Sequence, residues 1–153
     1  MPKSTTKQKP SSQNEATGLL LDTHIAIWLC QTSPRLNQES LRLLEETFNR
    51  SELFVSTISA WEAGLLVANG RLDLGRAPFD WFQSFVQNFK VNVIDISAEI
   101  AVTSSFLPGK IHKDPADRIL VATAISNQTA LISADKELIN YGKQGYVKIV
   151  AVA

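Results

Sequence analysis

Four acids in this chain stand where carboxylates can act together. Asp22 directly follows the apolar run "GLLL", and Asp135 lies two residues past "ALIS". Glu62 and Asp117 fall early in two segments of helical periodicity whose other residues are mostly apolar. Glu62 has Ile58, Leu65 and Leu66 at −4, +3 and +4, so it shares a face with aliphatic side chains. A glutamate there either sits at the edge of the apolar stripe or points into a polar site. Asp117 has Leu120 and Val121 at +3 and +4 on a helix that is apolar nearly all round, which places it in the interior. Taken singly, each acid also has a structural reading. Asp22 and Asp135 can cap the helices that follow them, Asp114 can be an N-cap, and Asp117 the third-position acid of an approximate capping box. Taken together they have another. Carboxylates that share one cleft raise one another's pKa and are costly unless a cation neutralises them. Oxygen-only ligands suit Mg²⁺ or Mn²⁺, hard cations that keep several waters and bind phosphates.

The elements that must position these acids alternate in kind. Short apolar runs of strand length are "GLLLD" ending at Asp22, "LFVS" at Ser56, "VNVID" at Asp95, "ALIS" at Ser133, and the late run "VKIVAV". Helical periodicity separates them over residues 25–30, 36–48, 58–69, 79–89, 98–106 and 116–127. Gly70 stands where a C′ glycine ends the third of these helices. Pro115 suits the first turn of the last, with Asp114 as its N-cap. Strands alternating with helices predict an α/β fold of three layers, α/β/α, around a mainly parallel central sheet. In such sheets ligands bind at the carboxyl ends of the strands, where connections diverge to opposite faces. Asp22 and Asp135 fall at two such ends.

Composition narrows the class. With 44% hydrophobic and 20% charged residues over 153 positions, the chain reads as one globular domain. No apolar run approaches the ~18 residues that a membrane span needs. The N-terminus lacks the apolar stretch of a secretory signal, so a cytoplasmic protein is expected. Cys30 is the only cysteine, which excludes an internal disulfide framework and a thiolate metal cluster. Basic and acidic residues balance at 15 each, so any contact with a polyanion must come from local clusters. Residues 1–17 are polar and carry net charge +2 (Lys3, Lys7 and Lys9 less Glu15). They read as a disordered arm before a domain spanning 18–153.

Four stretches, in this order, resemble the PIN domain and more closely the VapC-type toxins of bacterial toxin–antitoxin pairs. They are "LLLDTHIAIWL", "STISAWEAGLLVANGRL", "HKDPADRILVATA" and "LISADKEL", spanning residues 18 to about 141. Each alone is a common kind of motif; all four in order are specific. The resemblance implies a metal-dependent endoribonuclease whose acids are Asp22, Glu62, Asp117 and Asp135, with Mg²⁺ or Mn²⁺ as cofactor. Asp117 and Asp135 would complete a metal site begun by Asp22, and Glu62 would be a ligand or would orient the attacking water. Ser133 matches the small hydroxyl residue that accompanies the last acid. Thr23 is expected to orient Asp22, and Asp114 to combine capping with a supporting role. Attack by water in line would leave a 5′-phosphate and a 3′-hydroxyl.

The basic residues nearest the third stretch are Lys110, Lys113 and Arg118. They are candidates for contacts to the RNA backbone, with Arg118 alternatively pairing with an acid. His112 is assigned a structural role, because His24 is far off in sequence and no acid–His motif joins them. The resemblance further implies a homodimer and a VapB-like antitoxin whose peptide covers an apolar groove and blocks the acids. The aromatics from Trp81 to Phe89 fall on more than one helical face, so part of that segment is a candidate partner surface. The alternative function is a non-catalytic PIN-like module that binds RNA or regulates. A phosphoacceptor receiver domain is disfavoured because Asp22 has no acidic neighbour, and a P-loop enzyme because no glycine-rich phosphate loop is present.

Overall fold

The computed structural model describes residues 16–152. Five strands form one sheet: β1 (Leu19–Leu21), β2 (Leu53–Ser56), β3 (Asn92–Ile94), β4 (Ala130–Ser133) and β5 (Ile149–Ala151), in the order β3-β2-β1-β4-β5. Every pairing is parallel. Among the described residues, seven helices connect and cover them: α1 (Thr23–Cys30), α2 (Gln38–Asn49), α3 (Thr57–Ala68), α4 (Pro78–Asn88), α5 (Ala98–Ser105), α6 (Pro115–Asn127) and α7 (Lys136–Gly142).

The period-2 alternation of each strand divides the core between two layers. Leu19, Leu21, Leu53, Val55, Ala130 and Ile132 face α1, α2 and α4, where Ile25, Leu44, Trp81 and Phe85 pack against them. Leu20 and Leu131 face the other way, onto α5, α6 and α7 through Ile100, Leu120, Val121, Leu138 and Tyr141. Central strands apolar on both faces need this double cover. A fully buried leucine such as Leu20 or Leu21 contributes about 2 kcal/mol. The expected three-layer α/β/α fold is therefore present, with a sheet that is wholly parallel.

Topology then selects one place on the molecule. From β1 the chain turns towards β2 through helices on one face, and from β4 it turns towards β5 through α7 on the other. Right-handed crossovers running in opposite directions must use opposite faces. The carboxyl ends of β1 and β4 thus flank a crevice at the switch point. Helix α3 gives Ile58 to one core layer and Ala63 to the other, so it crosses these strand ends and carries Glu62 to the crevice. It stops as expected: Gly70, at φ +70°, lets its own N–H reach the Val67 carbonyl at 3.0 Å and that of Arg71 reach Leu66 at 2.9 Å, a Schellman closure.

Of the polar arm expected over residues 1–17, residues 1–15 lie outside the described residues. Ala16 packs against the core, and the Thr17 N–H donates to the Gln128 carbonyl at 3.0 Å. Of the aromatics in and beside α4, Trp81, Phe82 and Phe85 are core, while Phe79 is 67% exposed. No helix among the described residues is long and apolar enough to cross a membrane.

A candidate metal centre at the carboxyl end of the sheet

The crevice at the switch point is a cleft of about 250 Å³ lined by Asp22, His24, Trp28, Glu62, Asp114, Asp117, Ala134 and Asp135. All four acids expected to form the site are in it, each delivered by a different segment. Asp22 ends β1 and is the N-cap residue of α1, although its side chain makes no capping bond. Instead its Oδ2 accepts from the Ser133 hydroxyl at 2.6 Å. Ser133 Oγ in turn accepts from the Asp135 N–H at 3.0 Å. One hydroxyl therefore ties the acid after β1 to the acid after β4. Asp135 does cap α7, its Oδ1 accepting from the Glu137 and Leu138 N–H groups at 2.8 and 3.2 Å. Capping occupies one oxygen and leaves Oδ2 for the cleft.

Asp114 is the expected N-cap of α6, accepting from the N–H groups of Ala116 at 2.9 Å and Asp117 at 3.2 Å. Asp117 does not reciprocate in a capping box; its side chain faces the cleft. Asp22 and Asp117 are only 5% and 9% exposed. Burial with few compensating hydrogen bonds disfavours the ionised form, and neighbouring carboxylates add to this. Burial first, then the charges of Asp22, Asp114, Asp135 and Glu62, pushes the Asp117 carboxyl up to about 8. Glu62 is pushed up to about 7 by burial and by Asp22 and Asp114, against the lowering effect of its hydrogen bond from Thr23. Asp22 is also raised, burial outweighing the bond from Ser133.

Three side chains meet partners that the sequence did not indicate. Thr23 does not orient Asp22 through its side chain: its hydroxyl donates to Glu62 Oε1 at 2.6 Å. With that one proton committed, Ser59 Oγ is left to donate to Thr23 at 2.8 Å. The helical direction of α1 turns Thr23 towards α3 rather than back to its neighbour in sequence. Arg118 pairs with no acid among the described residues. Its guanidinium donates to the carbonyls of Ser104 at 2.9 Å and of His112 and Ser105 at 3.4 Å, bracing the segment between α5 and α6. Lys110 and Lys113 remain exposed.

His112, assigned a structural role, is the third: Nε2 lies 3.1 Å from Asp117 Oδ2 and Nδ1 lies 3.2 Å from Glu137 Oε2. One ligand atom from each of His112, Asp117 and Asp135 lies within 4.8 Å of the others. The Nε2 contact is poorly aligned, so this buried nitrogen has no hydrogen-bond partner. Ser59 is the other residue that pattern reading missed; its position three before Glu62 on the same helix face was the available signal.

Several carboxylates held close, two of them buried, with an unpartnered nitrogen beside them, are suited to a divalent cation. Asp22, Asp117 and Asp135 would hold it. Burial first and neighbouring carboxylates second raise these pKa values, and such an ion would offset both.

The comparisons with known proteins agree with this geometry. Residues 19–144 match the profile of the PIN domain. Over 122 residues the chain is 32% identical to Ribonuclease VapC22 of Mycobacterium tuberculosis, an alignment covering 80% of this chain and 90% of that protein. In fold it is similar to a chain of VapBC2 from Rickettsia felis bound to a promoter DNA fragment (TM-score 0.62, 17% identity, 88% and 98% of the two chains). A toxin–antitoxin complex from Klebsiella pneumoniae (0.58, 22%, 89% and 98%) is also similar, as is FitAcB from Neisseria gonorrhoeae (0.59, 18%, 86% and 95%). With its profile, its site and its fold in agreement, the chain belongs to the PIN-domain family, in the VapC branch.

Proposed function

We propose that this chain is a divalent-metal-dependent endoribonuclease of the toxin type, restrained by a VapB-like antitoxin. The observation that carries the reading is the convergence of Asp22, Glu62, Asp117 and Asp135 in one cleft at the switch point of the sheet. Kinship to a VapC ribonuclease supports RNA as the substrate.

When bound, Mg²⁺ or Mn²⁺ supplies an activated water and offsets charge building on the scissile phosphate. The chain supplies position and proton transfer. Asp22, Asp117 and Asp135 would hold the ion, with Ser133 fixing the rotamer of Asp22. Glu62 Oε1 is fastened by Thr23, which leaves Oε2 to orient the attacking water and take its proton. Lys110 and Lys113, exposed before α6, would contact the RNA backbone, giving affinity without sequence choice.

An antitoxin and a second copy of the chain are the proposed protein partners. The support is that the structural relatives are toxin–antitoxin complexes, and that Trp61, Leu65, Val102 and Phe106 are 45–80% exposed. Such residues are costly to leave in water.

The test is cleavage of total bacterial RNA by the purified, antitoxin-free chain with Mg²⁺ or Mn²⁺, beside EDTA and Asp117→Asn controls. Discrete fragments with 5′-phosphates and 3′-hydroxyls, absent from both controls, are expected. No cleavage by folded, metal-loaded protein would favour a non-catalytic module. Cleavage that survives Asp117→Asn would remove Asp117 from the mechanism.

A further inference from the structure

We propose that His112 completes the metal centre through Nε2, so that the site is a mixed nitrogen–oxygen one that prefers Mn²⁺ to Mg²⁺. The inference rests on the reading of the cleft as a divalent-cation site and adds a ligand that the acid pattern does not contain.

Three observations carry it. The first is the unsatisfied atom: Nε2 is buried without a hydrogen bond although Asp117 Oδ2 is 3.1 Å away. An orphaned buried nitrogen is unfavourable, and two lone pairs facing each other are worse, unless a proton or a metal ion lies between them. The second is the carboxylate on the far side of the ring. Nδ1 is 3.2 Å from Glu137 Oε2, which favours the tautomer with its proton on Nδ1 and its lone pair on Nε2. Metal-binding imidazoles generally rest on such an outer carboxylate. The third is distance. Ligand atoms of His112, Asp117 and Asp135 lie within 4.8 Å of one another. Ligands on opposite sides of one ion, each ~2.1 Å away, are ~4.2 Å apart, so closure needs only about half an ångström.

The segment that carries His112 is built to hold it still. The Tyr141 hydroxyl donates to the Pro108 carbonyl at 2.8 Å. Gln144 accepts from the Lys110 N–H at 3.0 Å and donates to the Lys110 carbonyl at 2.7 Å. Arg118 holds the carbonyl of His112 itself. Gly109, at φ +70°, makes the turn, and a Cβ there would collide with Gln144. These bonds fix the backbone on both sides of an imidazole that would otherwise lie in a loop. Imidazole binds Mn²⁺ more readily than Mg²⁺, which favours carboxylate and water; hence the preference.

Pulsed electron paramagnetic resonance of the Mn²⁺-loaded full chain tests the proposal without reading activity. Nitrogen hyperfine modulation is expected, changing when histidine is labelled with ¹⁵N in the unmutated protein. It should vanish in His112→Gln and persist in His24→Gln, the histidine that lines the cleft itself. Mn²⁺ affinity should fall roughly tenfold in His112→Gln, with Mg²⁺ affinity changed about twofold or less. Bound Mn²⁺ with no nitrogen coupling, or coupling that survives His112→Gln, would overturn this inference and leave the acid site standing. Failure of the chain to bind Mn²⁺ at all would overturn both.

Discussion

At the amino end of β4 and β5, a cleft of about 540 Å³ is lined by Ala16, Ile125, Gln128, Tyr146 and neighbouring residues, with Lys148 its one charged side chain. At the carboxyl end, a cleft of about 250 Å³ collects Asp22, Glu62, Asp114, Asp117 and Asp135. The larger space holds little chemistry and the smaller one holds like charges in the interior. What separates them is electrostatic cost rather than volume. The fold accepts repulsion at one end of the sheet, and strain of that kind is retained where it serves a function.

If the comparison is sound, substitutions at the two ends should differ most in catalysis. Asp22→Asn or Asp117→Asn should lower RNA cleavage on the order of 10³-fold. Tyr146→Ala, on an exposed aromatic at the amino end, should change it by about twofold or less. Equal losses at both ends would erase the distinction.

Ligand linkage comes next. Mn²⁺ at 100 times its Kd should stabilise the chain by about 2.7 kcal/mol, a rise in Tm of roughly 5–10 °C. Differential scanning fluorimetry should show that rise in the native chain and lose most of it in Asp117→Asn.

The metal-free protein should respond in the opposite sense. Asp117 has an ordinary value of 3.8 and is pushed up to about 8 in the fold, so the folded chain holds that proton more tightly than the unfolded one. Stability is then free of the penalty below about pH 4 and falls as pH rises towards about 8. Asp117→Asn, which carries no charge, should raise the metal-free Tm at pH 8 by the equivalent of roughly 1–2 kcal/mol. The gain should disappear near pH 4. Thermal melts across that range check the sign; a mutant destabilised at pH 8 would contradict it.

The smallest effect sharpens the assignment of Glu62. Thr23→Val keeps the shape of the side chain and removes its hydroxyl, freeing Glu62 Oε1. Cleavage should slow roughly threefold to tenfold with Mn²⁺ affinity nearly unchanged. A matching loss of affinity would make Glu62 a ligand instead.

Much of this was legible in the chain because it is written locally. Leu19, Leu20 and Leu21 announce a strand buried on both faces, and Asp114 before Pro115 announces the start of α6. The ends of β2 and β4 fall at Ser56 and Ser133 as expected. The acids were legible too, since each follows a strand or opens a helix. Side-chain partnerships were not. Thr23 lies beside Asp22 in sequence but bonds to Glu62, 39 positions away. Arg118 is spent on carbonyls 6, 13 and 14 residues back. His112 lies outside any regular element, so no periodicity indicated its direction. Its place beside Asp117 depends on Tyr141, Gln144 and Arg118, contacts that only the assembled fold brings together.

The central claim, that the cluster at the carboxyl end is built around a divalent cation, is tested most directly by proton release. Calorimetric titration of the metal-free chain with Mn²⁺ at pH 7, in two buffers of different ionisation enthalpy, counts the protons displaced. Carboxyls pushed up to about 8 and about 7 are largely or partly protonated there. Binding should therefore release about one proton or more per ion, and release should fall in Asp117→Asn. An ion that binds without releasing protons, or binds Asp117→Asn equally well, would show that the acids of the cleft are not its ligands.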